Sequence, residues 1–415
     1  MSNPARKPDG PIIVRKYGGS SLADIPRLRE VARDLRAARD EGQHLVVVVS
    51  AMGDQTDQLV RLARQANPEP PRRELDMLLT VGERISMSLL CMALAAKGVP
   101  AISLTGSQVG IITDASHNDA RIREVRAYRV REALAAGQVV VVAGFQGYCD
   151  QTREITTLGR GGSDTTAVAL AHALGAERCE ILKDVPGVMT ADPKLLPAAR
   201  RLERLTYDEM GAIAAAGCGV VHPRAVAYAA RERVPLYIGS SFAAGPGTTI
   251  SEFATADLPP PAVLRALVLT VARDQARLAL GGPPAAAAAL TDLARRATAS
   301  GPLTAEWHTS GETWRWEGWG SEDQLGPAAV AAGGRDDPPE TALQVAWQTG
   351  LAIVTLAGRR PECWSSALQP LRQILATHGQ GDAPLRSDGD AVRILVQQAS
   401  LTDLLPALHD LLVRD

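Results

Sequence analysis

The stretch Ile12-Ile13-Val14-Arg15-Lys16-Tyr17-Gly18-Gly19-Ser20-Ser21 decides the fold class. Three β-branched residues open a strand, two glycines make a turn, and an amphipathic pattern from about Ile25 to Ala38 continues as a helix. Lys16 stands among the last residues of the strand. The lysine precedes the glycines, so this is not a Walker loop, and the three-glycine spacing of a dinucleotide fingerprint is absent. The arrangement suits phosphoryl transfer, with backbone N–H groups on the phosphate oxygens and a lysine neutralising charge between donor and acceptor. The plainer alternative is a surface lysine beside an ordinary turn.

The same alternation continues outward. Apolar runs at His44–Val49, Gly98–Leu104, Gln138–Ala143, Cys179–Leu182 and Val234–Ile238 are separated by helix-like stretches. The latter cover Glu74–Lys97, Asp119–Ala136, Ser163–Leu174, Thr206–Ala216 and Pro223–Arg233. This predicts an α/β unit, a largely parallel sheet sandwiched by helices. Ligands in such folds gather beyond the carboxyl ends of the strands. Lys16, Ser50, Phe145 and Asp184 all fall at or just after strand ends and are expected to line one crevice. Met77, Met87 and Met92, on one apolar helix, are expected in the core. His117 and His222 read as hydrogen-bonded structural histidines, and Asp24 and Asp57 as helix caps or first-turn acids.

A second glycine loop, Thr156-Thr157-Leu158-Gly159-Arg160-Gly161-Gly162-Ser163-Asp164-Thr165-Thr166, carries the most chemistry. Its glycines allow a tight turn and close approach to a ligand. Arg160 offers a fork of donors suited to a carboxylate or phosphate. Ser163 or Asp164 is expected to cap the following helix, whose start would favour an anion. The alternative is a loop that only joins strand to helix.

The chain has 415 residues, room for two or three domains, with 46% hydrophobic and 22% charged residues. A formal net charge of −2 gives no bias toward nucleic acid. Cys91, Cys149, Cys179, Cys218 and Cys363 show no paired spacing, which predicts reduced thiols in the cytoplasm and no metal-ligand cluster. No run approaches about 18 uninterrupted apolar residues, so neither export nor a membrane span is expected.

Composition changes after about Glu252, and Pro259-Pro260-Pro261 is a stiff break. Strands are expected at Val263–Ala272, Leu343–Trp347, Leu351–Leu356 and Ala391–Gln397, and helices at Ala285–Ala299, Trp364–Thr377 and Ser400–Val413. This is an α+β region with room for two small modules, read as regulatory or oligomerising. The tryptophans Trp307, Trp314, Trp316 and Trp319 alternate partly at strand spacing, which points to core or interface packing.

The two glycine loops, with Val49-Ser50-Ala51-Met52, Gly144-Phe145-Gln146-Gly147, Lys183-Asp184-Val185-Pro186-Gly187-Val188-Met189-Thr190-Ala191-Asp192-Pro193 and His222-Pro223-Arg224-Ala225-Val226, resemble the aspartate kinases of the amino-acid kinase superfamily. The resemblance implies a catalytic domain over residues 11–251 and two divergent ACT-like modules over 262–415. It implies transfer of the γ-phosphoryl group of MgATP to the β-carboxylate of L-aspartate, and a homodimer joined through the C-terminal region. Lys16 would stabilise the transferring group, with Gly18, Gly19 and Ser20 around its oxygens and Asp164 orienting Lys16. Arg160 would grip the substrate α-carboxylate and Glu83 its ammonium. Ser50, Thr56, Phe145, Gly161 and Ser163 would complete that pocket. Lys183, Asp184, Asp192 and Lys194 would border the nucleotide.

Departures from the family's pattern fall on the nucleotide side. Lys183 stands where a threonine is usual, Met189 where a tyrosine is, and Lys194 where an arginine is. Gly219 occupies the place of a phosphate-contacting lysine. Lys183 would restore that charge from the other side of the crevice. The alternatives are a related kinase acting on another small carboxylate, or a catalytically weak paralogue that binds aspartate or nucleotide. The usual effector-binding segment of the first C-terminal module is not recognisable near Thr298-Ala299-Ser300-Gly301, so no effector residue is carried over.

Overall fold

The computed structural model describes residues 10–243, 245–253, 266–299, 304–310, 313–333, 344–358, 364–388 and 391–413. The triple proline, Ser300-Gly301 and Cys363 lie outside the described residues. Two compact units form: Met1–Met189 with Arg200–Pro259, and Thr190–Ala199 with Pro260–Asp415.

In the first unit the strands are β1 (Ile12–Tyr17), β2 (His44–Val49), β3 (Ala101–Leu104), β4 (Ile111–Thr113), β5 (Ile122–Val125) and β6 (Val139–Ala143). After them come β7 (Gln146–Cys149), β8 (Glu154–Thr157), β9 (Arg178–Lys183), β10 (Arg204–Leu205), β11 (Leu236–Ser240) and β12 (Thr248–Ile250). Eight of them make one sheet in the order β10-β12-β11-β9-β1-β2-β6-β3. Its ladders are parallel except β11 with β12. The α/β expectation holds. The helices are α1 (Ile25–Asp40), α2 (Gln55–Ala66), α3 (Arg72–Ala95), α4 (Gly106–Val109), α5 (Tyr128–Ala135), α6 (Gly162–Leu174), α7 (Tyr207–Ala215) and α8 (Pro223–Glu232).

Side-chain alternation along β1 sorts its residues by face. Ile13 and Tyr17, with Val47, Val49, Val139 and Val141, pack against Leu28, Leu35, Leu90 and Leu94 of α1 and α3. Lys16 therefore points to the opposite face, over which α6 runs. Asp24 caps α1, accepting the Arg27 N–H at 2.8 Å.

Helix α3 is long and apolar enough to cross a membrane by length and composition. It is a core helix: Leu79, Met87, Leu90 and Leu94 are buried, as are Asp76 and Glu83. Of the three methionines expected in the core only Met87 is there; Met77 is 37% and Met92 65% exposed. Both lie off the stripe that meets the sheet. Residues 119–127 are not helical as expected. β5 pairs with β4 in a separate sheet, β5-β4-β7-β8, and Ala127, at φ 54, turns the chain before the shorter α5.

In the second unit β13 (Ala266–Gly282), α9 (Ala287–Ala299), β14 (Thr304–Ser310), β15 (Thr313–Ser321) and α10 (Glu322–Gly333) form one β-α-β-β-α series. β16 (Gln344–Gly358), α11 (Trp364–Thr377), β17 (Leu385–Asp388), β18 (Ala391–Gln397) and α12 (Leu401–Val413) repeat it. The sheet runs β14-β15-β13-β16-β18-β17, and its ladders are antiparallel. This fits the expected ACT-like α+β region. The two strands expected around residues 343–356 are one strand, β16, with Gly350 left-handed at a register shift in its ladder with β13. Each half has its own core, Leu278, Leu280 and Trp316 under α9 and α10, and Val354, Val392 and Ile394 under α11 and α12. Trp316 and Trp319 are buried as expected, Trp307 is 45% exposed, and the Trp314 side chain lies outside the described residues.

Close approach joins the two sheets of the first unit. A Cβ at Gly106 would sit 2.2 Å from the Gln146 carbonyl oxygen, so α4 meets β7 only because that side chain is missing. Gly106→Ala is expected to destabilise the protein by about 1–3 kcal/mol, read as a lower urea midpoint. An unchanged midpoint would mean that the backbone around Gln146 yields freely.

Candidate active site

Lys16 Nζ lies 2.7 Å from Asp164 Oδ1, and both side chains are almost fully buried. The strand places one partner and the first turn of α6 the other. Asp164 Oδ2 accepts the His222 backbone N–H at 3.3 Å. Burial alone would raise the Asp164 pKa; the Lys16 ammonium, and then Lys183, outweigh it and hold the carboxyl below its ordinary value. Breaking such a buried pair by removing one partner typically costs about 3–5 kcal/mol.

The turn before α6 requires its glycines. Gly161, at φ 73, is the residue that begins the helix, and a Cβ there would meet the His222 ring at 2.1 Å. The expected cap at Ser163 or Asp164 is therefore corrected: the helix starts earlier, and Asp164 is left free to face Lys16. Phe145 is held at φ 68 by its N–H on Thr166 Oγ1 (3.2 Å) and its carbonyl on the Leu158 N–H (2.9 Å).

Glu83 reaches the same space from α3. Gly82 lets the helix approach Ala51, where a Cβ would come within 2.7 Å of the alanine methyl. The Ala51 N–H donates to Glu83 Oε1 at 3.1 Å, and Oε2 is buried with no partner. Burial raises this carboxyl to about 7, against the opposing pull of the backbone donors and Lys16. A buried carboxyl oxygen without a donor calls for an explanation, by protonation or by a partner that the cleft admits.

One cleft of about 480 Å³ collects these groups. Lys16, Ser50, Thr56, Glu83, Phe145, Arg160, Gly161, Ser163, Asp164 and Lys183 all line it. Sequence reasoning missed Asp57, Val60, Leu75, Leu79, Asn118 and Thr157 on its wall. The pattern reads Asp57 as a helix cap or first-turn acid, and Asn118 enters through a left-handed turn at φ 65 that no periodicity announces. Asn118, Gly159 and Arg160 also line an adjoining cavity of about 500 Å³ with Arg72, His222 and Arg224.

The remaining expected residues lie around this cleft or outside it. Gly18 precedes the short helical turn Gly19–Leu22, and a Cβ at Gly19 would be 2.8 Å from the Gly53 carbonyl oxygen. Arg27 stacks on Phe242 at 4.7 Å and donates to the Ser20 carbonyl, while Ser21 Oγ meets Ser241 Oγ at 2.8 Å. Lys183 Nζ donates to the Gly219 carbonyl at 3.0 Å, and burial lowers its pKa. Lys183, rather than the exposed Asp184, is the β9 residue in the cleft. Asp192 and Lys194 belong to the second unit, where Asp192 Oδ1 accepts the Lys194 backbone N–H at 2.9 Å. Among the described residues no three His, Cys, Asp or Glu side chains cluster as metal ligands.

The sequence pattern of the amino acid kinase family matches residues 11–240. The aspartokinase of Corynebacterium efficiens is 54% identical over 240 residues, 58% of this chain and 57% of that protein. The Thermus thermophilus aspartokinase is 53% identical over 243 residues, 59% and 60% of the two lengths. The chain thus matches less than two thirds of these relatives' length. The crystal structure of aspartate kinase from Synechocystis is 36% identical, with a TM-score of 0.54 over 96% of this chain and 68% of that one. E. coli aspartokinase III, solved with aspartate and ADP, shares the fold at a TM-score of 0.72 and 22% identity, over 97% of this chain and all of its own. With the family pattern covering more than half of its length, the chain belongs to the amino acid kinase family and groups there with the aspartate kinases.

Proposed function

We propose that this protein transfers the γ-phosphoryl group of MgATP to the β-carboxylate of L-aspartate, releasing ADP and 4-phospho-L-aspartate. The observation that carries this reading is the convergence of Lys16, Arg160 and the unpartnered oxygen of Glu83 on one cleft. Arg160 pairs with the α-carboxylate and Glu83 with the ammonium, which turns the β-carboxylate toward Lys16. A carboxylate is already a nucleophile at neutral pH. One of its oxygens forms the new P–O bond as the bond to the bridging oxygen of ADP breaks, so alignment and charge neutralisation suffice. Lys16, oriented by Asp164, faces the charge that develops between donor and acceptor. Gly18, Gly19 and Ser20 hold the phosphate side, and the divalent ion arrives with the triphosphate. Cytoplasmic location and dimerisation through the C-terminal unit belong to the same proposal, the latter supported by the exposed Trp307 and Trp347.

A hydroxamate assay should trap acyl phosphate with L-aspartate and not with glutamate or N-acetylaspartate. Lys16→Ala should lower kcat by about a hundredfold or more. Turnover of another carboxylate in preference would replace the substrate, and none at all would leave a binding paralogue, the reading that Gly219 favours.

Glu83 sets the pH dependence. Its free-enzyme value of about 7 means that it is protonated below that pH and cannot pair with the substrate ammonium. The kcat/KM for aspartate should fall as pH drops through 7, by about tenfold per unit, with the KM for ATP little changed. A flat profile between pH 6 and 8 would remove Glu83 from this role.

Lys183 supplies the nucleotide-side charge missing at Gly219. Its ammonium rests on the Gly219 carbonyl, within the electrostatic reach of Lys16 and Asp164. Lys183→Thr should raise the KM for ATP by about tenfold or more and leave the KM for aspartate near its original value. An unchanged ATP KM would end the compensation argument.

A further inference from the structure

We propose that Asp76 is a positioning residue for Arg160, fixing the two turns that present the guanidinium to the cleft. This rests on the substrate reading above for its kinetic consequence, though not for its structural one. Asp76 lies on α3 and is fully buried. Four donors converge on its carboxyl group. His117 Nδ1 reaches Oδ2 at 2.6 Å, the Asn118 N–H reaches Oδ1 at 3.1 Å, and Asn118 Nδ2 and Thr157 Oγ1 both reach Oδ1 at 2.5 Å.

These donors come from two segments, the 117–120 turn and the end of β8. Asn118 is left-handed, and its carbonyl oxygen would lie 2.9 Å from a Cβ on Gly159. The Ala120 N–H donates to the Thr157 carbonyl at 2.9 Å. Asp76 thus clamps the 117–120 turn to the end of β8, three residues before Arg160. On the outer side Arg224 donates to the Leu158 carbonyl at 3.0 Å and pairs with Asp119. Arg160 itself makes no ion pair among the described residues, so its direction is set by the turn that carries it and not by a partner of its own.

A buried carboxyl with all its acceptor sites filled is rigid, and removing a donor leaves a buried polar group unsatisfied. Asp76→Asn keeps the size but turns half of the group into a donor that faces donors. The expected result is a KM for aspartate raised tenfold or more, a kcat changed less than threefold, and a KM for ATP within twofold of the original. Hydrogen exchange should speed up in residues 117–120 and 157–162 while the central sheet keeps its protection. Thr157→Val, which keeps the shape and removes the hydroxyl, should weaken aspartate binding in the same direction, and Thr157→Ser should restore it. This pair carries the test if Asp76→Asn fails to fold. Equal losses in both KM values, or unchanged exchange at 157–162 in a folded variant, would overturn the proposal. Exchange that changes as expected in a protein inactive on aspartate would sustain the clamp and reject the substrate.

Discussion

The buried pair between Lys16 and Asp164 is the constraint on which the first unit depends. It ties the central strand to the helix that covers its second face, and it does so at the carboxyl end of the sheet, where parallel α/β folds open. Lys183 also acts on Asp164, so a second ammonium group helps to hold that carboxylate charged. Glu83, on the same cleft, is an acid whose second oxygen is buried without a donor.

Missing side chains shape the cleft as much as present ones. Gly82 brings α3 within reach of Ala51, so that the acid of the next residue can take a backbone N–H. Gly161 and Gly162 bring α6 against His222 and Phe145 at distances no Cβ would tolerate. The helix then begins at Gly162, early enough to put Asp164 in its first turn beside Lys16 and not at the cap. Each glycine converts a close backbone approach into the direction of a neighbouring functional group.

Much of this was legible in the sequence because the central strands are short, apolar and β-branched. His44–Val49 and Ala391–Gln397 match the expected runs, as does the helix Trp364–Thr377. Lys16, Glu83, Arg160 and Asp164 were named from glycine loops and family resemblance. The rest was hidden for physical reasons. Residues 119–127 have enough polar and apolar alternation to serve helix or strand, and only pairing with β4 decides between them. Met77 and Met92 look like core on an apolar helix, yet α3 buries a single stripe. Asp76 carries no sequence signal of its own; the 117–120 turn folds over it and buries it. Burial of that kind is a tertiary fact, and no local pattern encodes it.

The proposed compensation of Gly219 by Lys183 has a backbone logic. Gly219 adopts φ 68, and a Cβ there would meet nothing within 4 Å. A lysine at that site would have room, but it would hold a left-handed conformation that costs side-chain-bearing residues of order 1 kcal/mol. Lys183 is the last residue of β9, where it pairs with Ser240 of β11. Its carbonyl is fixed by Ser241, through both the backbone N–H at 2.7 Å and Oγ at 3.0 Å. A charge carried on a paired strand is better preorganised than one carried on a glycine-rich loop, and preorganisation is what an electrostatic site needs when no proton moves. In that proposal glycine at 219 is the partner of lysine at 183, its carbonyl accepting the ammonium at 3.0 Å.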